Sequence, residues 1–318
     1  MKVTEHIANA KSTLISFEIL PPLKGAGIQS IYNTLDPLMD FKPPFINVTY
    51  HRSEFIFKKT AEGLFEKKIV RKRPGTAGIC TAIHTKYKVD TVPHLICGGF
   101  SVDETEDLLI ELNFLGINNV LLLRGDKMKS EEVFSSEKNG HQNAIDLVHQ
   151  TVRMNKGIYL EEDLNNAVPT DFCIGVAGYP EKHYEAANME SDLNYLKAKV
   201  DAGANYIVTQ MFFDNKKFFQ FVKLCREKGI TVPIIPGLKP ITNKKQIANL
   251  PRIFNVDIPS ELLIEFDKCN SDEDVKQVGI DWCINQCREL MKEKIPVIHF
   301  YTMSNSGPVK KIVENIYS

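Results

Sequence analysis

The segment Tyr206-Ile207-Val208-Thr209-Gln210-Met211 is a short apolar run rich in β-branched residues, and Val232-Pro233-Ile234-Ile235-Pro236-Gly237 is a second one further along the chain. The residues between them have the spacing of an amphipathic helix, which Asp214 is expected to cap and Gly229 to end. A strand, a helix and a strand in this order, with no hairpin signal, predict two parallel strands joined by a crossover helix.

The same unit recurs almost from end to end of the chain. Helix signals lie between the strands, for example the capping box that begins at Ser101 and the stop at Gly116. The predicted strands are Leu14–Leu20, Phe45–Tyr50, Val92–Cys97, Asn119–Arg124, Phe172–Ala177, Tyr206–Met211, Val232–Gly237 and Val297–Tyr301. Eight such units predict an α/β fold of the (β/α)8 (TIM) barrel type. An open doubly wound sheet is disfavoured because Gly25-Ala26-Gly27 does not complete a dinucleotide-binding G-x-G-x-x-G motif.

One segment is longer than a minimal barrel requires. It lies between the second and third predicted strands, at residues 52–91, and we interpret it as an insertion with an additional short helix. No repeat or Pro/Gly/Ser-rich linker divides the chain, so a single catalytic domain over residues 1–318 is predicted.

Composition narrows the class of protein. The 39 Lys and Arg residues nearly balance the 40 Asp and Glu residues, which argues against nucleic acid as the partner. The one basic run, Lys67–Arg73, is interpreted as a solvated loop or helix end. We expect no membrane span and no secretory signal, because no apolar stretch is long enough. The odd number of cysteines, 7, favours reduced thiols and a cytoplasmic protein, and no metal site is predicted.

Polar side chains recur at the carboxyl end of every predicted strand, where a barrel of this kind places its active site. They are Glu18; Thr49 and Tyr50; His94; Arg124 and Asp126, which flank Gly125; Tyr179; Gln210; Lys239; and His299. Glu18 interrupts an apolar run, which suits a residue that delivers a proton.

Each of these residues also has a structural explanation. Glu18 could form an ion pair with Arg124, and Asp126 could cap the following helix. Lys239 could form a Schiff base, which would make the protein an aldolase-like lyase. Asp192, Tyr195 and Lys199 could form a solvated helix face, or else the edge of a cofactor site in which the carboxylate binds a hydroxyl and the lysine a phosphate.

Several motifs together resemble the methylenetetrahydrofolate reductase family, in order and over nearly the whole chain. They are Ser16-Phe17-Glu18 with Pro21-Pro22, Val48-Thr49-Tyr50, Pro93-His94-Leu95, Leu123-Arg124-Gly125-Asp126, Tyr179-Pro180-Glu181-Lys182-His183, Lys199–Ala204, Thr209–Asp214, Ile234–Gly237 and His299-Phe300-Tyr301-Thr302.

The resemblance implies a homo-oligomeric flavoprotein of one-carbon metabolism and methionine synthesis. In a ping-pong cycle, NADH or NADPH would reduce FAD, and the flavin would reduce 5,10-methylenetetrahydrofolate to 5-methyltetrahydrofolate. Glu18 would be the general acid, Asp126 would lie between flavin and folate, and Gln210 and Gln246 would contact folate. The residues implied for the FAD site are Thr49, Tyr50, His94, Arg124, Gly125, Asp126, Ala144, Tyr179, His183, Asp192 and Lys199. A flavin- or folate-binding barrel without catalysis is the alternative outside enzymes.

The sequence departs from the family pattern at two positions. Asn305 stands where many relatives have a folate-binding arginine, and Leu250 stands near the position at which a relative has a phenylalanine that stacks on the nicotinamide or folate. The S-adenosylmethionine-binding domain of eukaryotic members has no counterpart in this sequence, so we expect no such feedback in this chain.

Overall fold

The computed structural model describes residues 1–128 and 131–317, which contain ten strands. In chain order they are β1 (Leu14–Ile19), β2 (Phe45–Val48), β3 (Glu54–Lys59), β4 (Phe65–Val70), β5 (Asp90–Ile96), β6 (Asn119–Leu123), β7 (Cys173–Gly178), β8 (Tyr206–Met211), β9 (Ile234–Leu238) and β10 (Val297–Tyr301). All of them except β3 and β4 form a closed parallel barrel, in which β1 pairs with both β2 and β10. The predicted (β/α)8 barrel is confirmed, and each predicted barrel strand agrees with the structure to within two residues at either end.

Helices alternate with the barrel strands and pack around them. They are α1 (Val3–Ala8), α2 (Gln29–Leu35), α3 (Thr76–Tyr87), α4 (Val102–Phe114), α5 (Ala144–Met154), α6 (Met189–Asp201), α7 (Asn215–Glu227), α8 (Lys244–Phe254), α9 (Ser260–Asp267), α10 (Asp272–Lys292) and α11 (Ser306–Tyr317), with a 3₁₀ helix at Asp36–Phe41. Two predicted starts are confirmed, because the side chains of Ser101 and Asp214 accept hydrogen bonds from Glu104 N and Lys216 N.

Two buried clusters follow from the alternation of side chains along the strands. Outward-facing residues such as Phe17 and Phe300 pack against the helices. Inward-facing Phe45, Tyr206 and Val297 fill the amino end of the barrel. Helix α1 closes that end, where Val3 is fully buried and its N–H donates to Asn119 Oδ1 at 2.8 Å. The opposite, carboxyl end of the barrel is therefore the one left to form a site.

The structure of residues 52–91 differs from the predicted insertion with an additional short helix. Strands β3 and β4 form an antiparallel hairpin that stands apart from the barrel sheet. The helix that follows, α3, is the barrel's own connection between β2 and β5, and β5 already begins at Asp90. The basic run Lys67–Arg73 is thus a hairpin strand and its exit rather than a loop or helix end. That residues 1–318 form a single domain stays a prediction.

The helices also bear on membrane insertion. In the described part of the chain, none of them combines the length and apolar character that a bilayer crossing requires.

Candidate active site

Glu18 lies at the carboxyl end of β1 between two histidines. Its Oε2 is 3.5 Å from His94 Nε2 and 3.9 Å from His299 Nε2. All three side chains are buried, with Glu18 only 7% exposed. The closed barrel creates this cluster, because β1 pairs with β2 on one side and with β10, which carries His299, on the other.

Neighbouring polar side chains hold the two imidazoles in place. Ser16 Oγ is 2.8 Å from His299 Nδ1, and Asn47 Nδ2 is 3.3 Å from His94 Nε2. Burial lowers the pKa of His94 to about 4, although the Glu18 carboxylate opposes this shift and His299 and His51 add to it. His94 is therefore neutral at pH 7, and it hydrogen-bonds without supplying a positive charge.

The backbone of Glu18 is fixed from the last strand. Its carbonyl oxygen accepts from Thr302 Oγ1 at 2.7 Å and from Thr302 N at 3.2 Å. The adjacent Tyr301 donates its hydroxyl to Thr209 O at 2.5 Å, which ties β10 to β8. These contacts fix the backbone from which the Glu18 carboxylate projects.

Lys239 follows β9 and is 8% exposed. Burial lowers the pKa of its amine, and the Glu18 carboxylate partly offsets the shift. Glu18 therefore lies within electrostatic reach of Lys239.

Arg124 does not pair with Glu18, which removes the structural ion pair considered above. Its guanidinium instead binds the carboxylate of Glu185, and this contact holds the pKa of Glu185 at about 2. The ring of Phe134 lies 5.0 Å from the Arg124 guanidinium and 5.8 Å from that of Arg52. Phe134 thus packs against both guanidinium groups.

Gly125 turns the chain sharply after β6. Its φ is +82°, and an added Cβ would lie 3.1 Å from the Ile96 side chain. Asp126 follows it and is not a helix cap, because Asn143 is the N-cap of α5 and Ala144 is its first residue. The Asp126 carboxylate acts electrostatically on both His51 and Tyr179.

Tyr179, His183, Asp192 and Lys199 form one wall of the mouth. The rings of Tyr179 and His183 meet edge to face, with centroids 4.7 Å apart, and His183 N donates to Asp192 Oδ2 at 2.9 Å. Lys199 Nζ donates to Ala177 O at 2.8 Å, and burial lowers the pKa of its amine to about 8. Tyr195 points elsewhere, with 69% of its surface exposed. Helix α6 therefore contributes Asp192 and Lys199 to the site, whereas its Tyr195 faces solvent.

The two glutamines implied for folate contribute to local hydrogen bonding. Gln210 Oε1 accepts from Met211 N at 2.9 Å, and Gln246 Oε1 accepts from Thr242 N at 2.8 Å. Within the described residues, neither side-chain amide nitrogen has a hydrogen-bond partner. Leu250 is buried in an apolar cluster beneath α8, whereas Asn305 is exposed after β10.

Three residues of the cluster were missed or underused by sequence reasoning. Asn47 and Ser16 support the histidines. Each lies two residues from another inward-facing polar position on its own strand, and this spacing is the signal in the sequence that could have identified it. His51 stands at the rim, where burial of the ring lowers its pKa while Asp126 and Glu18 raise it. No group of three or more His, Cys, Asp or Glu side chains suited to a metal occurs within residues 1–128 and 131–317.

These features define the chain as a parallel α/β barrel with a buried polar cluster at its carboxyl end, centred on a carboxylate between histidines. The family model for methylenetetrahydrofolate reductase matches residues 2–317. The chain belongs to the methylenetetrahydrofolate reductase family.

Relatives of two lengths resemble the chain. A methylenetetrahydrofolate reductase from Schizosaccharomyces pombe is 31% identical over 99% of this chain and 48% of its own length, and a probable NADPH-dependent one from Caenorhabditis elegans is 30% identical over 98% and 43%. The chain thus spans about half the length of these curated relatives. The 5,10-methylenetetrahydrofolate reductase of Salmonella typhimurium is 31% identical over 92% of this chain and 86% of its own length.

Among solved structures, an uncharacterized protein from Clostridium thermocellum that binds two copies of 5-methyl-5,6,7,8-tetrahydrofolic acid shares the fold. Its TM-score is 0.56, with 15% identity over 99% of both chains.

Proposed function

We propose that this protein uses NADH or NADPH and FAD to reduce 5,10-methylenetetrahydrofolate to 5-methyltetrahydrofolate. The observation that carries the proposal is Glu18, a buried carboxyl group within 3.5 Å and 3.9 Å of two histidines at the mouth of a barrel of this family. The folate named for the Clostridium thermocellum protein and the names of the relatives support the same substrate.

The side chains at the mouth fit FAD. Thr49 Oγ1 is buried and has no hydrogen-bond partner among the described residues, so a polar edge of a ligand can satisfy it. Lys199 would supply positive charge for a diphosphate, as would Arg124 if the ligand replaces Glu185 as its partner, and the carboxylate of Asp192 can accept from a hydroxyl. The remaining residues proposed for this site are Tyr50, His94, Gly125, Asp126, Ala144, Tyr179 and His183.

When bound, FAD would accept a hydride from the nicotinamide and give it to the one-carbon group of the folate. The protein contributes proton transfer and orientation. Glu18 would donate its proton to the folate nitrogen that leaves the one-carbon group as the five-membered ring opens. Because His94 is neutral, it can orient the Glu18 carboxyl group without a positive charge that would stabilise the ionised carboxylate. Asp126, Gln210 and Gln246 would bind polar groups of the folate, and the free amide nitrogens of both glutamines suit this role.

An anaerobic assay of the two half-reactions tests the proposal. NADH or NADPH should bleach the flavin of the purified protein, and methylenetetrahydrofolate should then restore its colour. Running both nicotinamides also determines which one is preferred. A protein that takes up no FAD, or whose flavin neither nucleotide reduces, would rule the proposal out.

Glu18→Gln tests the role of the carboxyl group. The variant should keep flavin reduction within about two-fold, and its folate half-reaction should fall by roughly 10²–10⁴-fold because no acid is present. Glu106→Gln is the matched control, since that carboxylate lies on the outer helix α4 and accepts from Leu160 N. Equal losses of Glu18→Gln in both half-reactions would contradict the general-acid role.

A further inference from the structure

The β3–β4 hairpin leaves both of its edges open. Its two strands pair with each other, and in the described part of the chain neither of them pairs with a strand of the barrel. An isolated two-stranded hairpin is at best marginally stable in water, and three or more strands are needed for an independently stable sheet. The unpaired N–H and C=O groups of an exposed edge also form a template for one more strand. The hairpin is therefore suited to pairing with another chain.

One face of the hairpin is apolar and exposed. Phe57, Phe65 and Ile69 are 66%, 69% and 70% exposed. Residues that pair across the two strands share a face, and the faces alternate along each strand, so these three side chains lie on the same side of the hairpin. Exposed apolar side chains that cluster in this way mark an interaction site. We therefore expect the hairpin to contact another macromolecule.

Backbone hydrogen bonding identifies which groups of β3 face its outer edge. At the turn of the hairpin, Thr60 N donates to Leu64 O. The backbone groups of successive residues point to opposite edges of a strand, so the odd-numbered residues of β3, among them Phe55 and Phe57, direct their N–H groups to the outer edge. By the same alternation Lys67, which lies opposite Phe57, directs its N–H to the outer edge of β4. Each edge thus has a position whose N–H takes no part in the hairpin.

The outer edge of β3 is complementary to itself. Two copies of β3 can pair antiparallel about a two-fold axis at Ile56, which lies near the middle of the strand. In this register Phe55 of each copy lies opposite Phe57 of the other, and both residues direct backbone groups to the shared edge. Aromatic pairs across neighbouring strands stabilise a sheet. The central part of the edge therefore matches a second copy in both its hydrogen-bonding groups and its side chains.

The charges of β3 favour the same register. Glu54 of each copy lies opposite Lys58 of the other, and the Glu54 carboxylate can accept this ammonium in addition to Lys72 of its own chain. The outer edge of β4 lacks such complementarity, because pairing β4 with itself about either of its two central residues places Lys67 or Lys68 opposite its own copy. Like charges in this position destabilise a sheet. The self-complementary edge is therefore that of β3.

We propose that two copies of this protein form a dimer by antiparallel pairing of their β3 strands, which joins the two hairpins into one four-stranded sheet. The strand order across this sheet is β4, β3, β3, β4, and the two-fold axis closes the assembly at two copies. The lysines in the middle of β4 then lie at both outer edges of the sheet, where edge lysines oppose further pairing. The proposal is independent of the proposed function.

Proline at two directly opposite positions, Phe57 and Lys67, tests the pairing. Phe57→Pro removes an N–H from the outer edge of β3, and the matched control Lys67→Pro removes one from the outer edge of β4, so both variants keep the hydrogen bonds within the hairpin. In sedimentation experiments at micromolar concentration, the unmodified protein and Lys67→Pro should be dimers. Phe57→Pro should be largely monomeric, with a dimer dissociation constant raised by about ten-fold or more.

A cysteine pair tests the register, and it stays informative if Phe57→Pro disturbs the hairpin. Ile56→Cys places two thiols opposite each other at the two-fold axis, where the Cα atoms of such a pair lie roughly 4.5 Å apart, which is close enough for a disulfide. Under mild oxidation this variant should form a covalent dimer. Lys68→Cys is the matched control, because Lys68 lies directly opposite Ile56 on β4 and both β3 strands separate it from its own copy. It should not cross-link.

Three outcomes would overturn the proposal. The unmodified protein could be a monomer at micromolar concentration, Phe57→Pro could dimerise as tightly as Lys67→Pro, or Ile56→Cys could cross-link no more than Lys68→Cys. The unmodified protein measures the background from the native cysteines, of which only Cys269 is not buried. Loss of flavin reduction or of folate turnover would count against the proposed function and not against this interface.

Discussion

Gly125 is the residue at which backbone conformation most directly supports the site, because it separates Arg124 from Asp126. Gly125→Ala would put a Cβ at a φ of +82° and 3.1 Å from Ile96. We expect a loss of about 1–2 kcal/mol in the free energy of unfolding and a lower flavin content. Urea unfolding and the ratio of flavin to protein absorbance measure these two effects.

Gly27→Ala is the control for that variant. Gly27 has no atom within 4 Å of an added Cβ and no positive φ, so its replacement should leave both quantities nearly unchanged. If Gly125→Ala behaved like Gly27→Ala, the turn after β6 would not constrain the site.

Residue positions at strand ends could be predicted from sequence, but the partners of their side chains could not. Glu18 and His94 interrupt buried strands, and this alone marks them. Arg124 was considered as an ion-pair partner of Glu18, yet it binds Glu185, because the rotamer of a long side chain depends on how the loops pack around it. Leu250 similarly lies in a cluster formed by distant segments.

At the scale of elements, the barrel strands could be predicted from the sequence, whereas the β3–β4 hairpin could not. A buried parallel strand is a continuous apolar run, whereas β3 and β4 are largely exposed. The hairpin sets apolar residues opposite basic ones, as in the pair Phe57 and Lys67. The amine of Lys67 lies 3.7 Å from the Phe55 ring centroid, whereas Phe57 and Phe65 remain exposed. Neither face of the hairpin is buried, so its sequence shows no alternation of apolar and polar residues.

Removal of the hairpin tests whether it contributes to the stability of the barrel. Replacing Glu54–Val70 with a short Gly-Ser linker should lower the Tm by only a few degrees, because β3 and β4 pair only with each other. A shift of this size corresponds to about 1 kcal/mol of unfolding free energy in a chain of this length. Thermal unfolding provides the reading. A large loss of Tm would show that the hairpin supports the barrel.

At the scale of the whole molecule, barrel closure assembles the site. Ser16 and His299 come from the first and last barrel strands and meet at 2.8 Å only because β1 pairs with β10. The sequence pattern predicts that these strand ends share one rim, whereas the distance between two side chains depends on barrel geometry, which the pattern does not contain. The proposed chemistry at Glu18 therefore requires the complete barrel.

Acid should destabilise this barrel through His94. Its pKa is about 4 in the folded protein and about 6.5 when unfolded. Between these values the unfolded chain binds more protons, so the stabilisation is complete above about pH 6.5 and is lost as the pH falls towards 4. The loss amounts to at most about 3 kcal/mol, at about 1.4 kcal/mol per pKa unit.

His94→Gln removes this titration while keeping a polar side chain beside Asn47. Its free energy of unfolding, measured by urea denaturation from pH 7 to pH 4, should fall less steeply than that of the unmodified protein. His149→Gln should keep the original slope, because that side chain is exposed in the folded and the unfolded chain alike. Identical slopes for His94→Gln and the unmodified protein would mean that the Glu18 carboxylate, which faces the His94 ring, compensates for its burial.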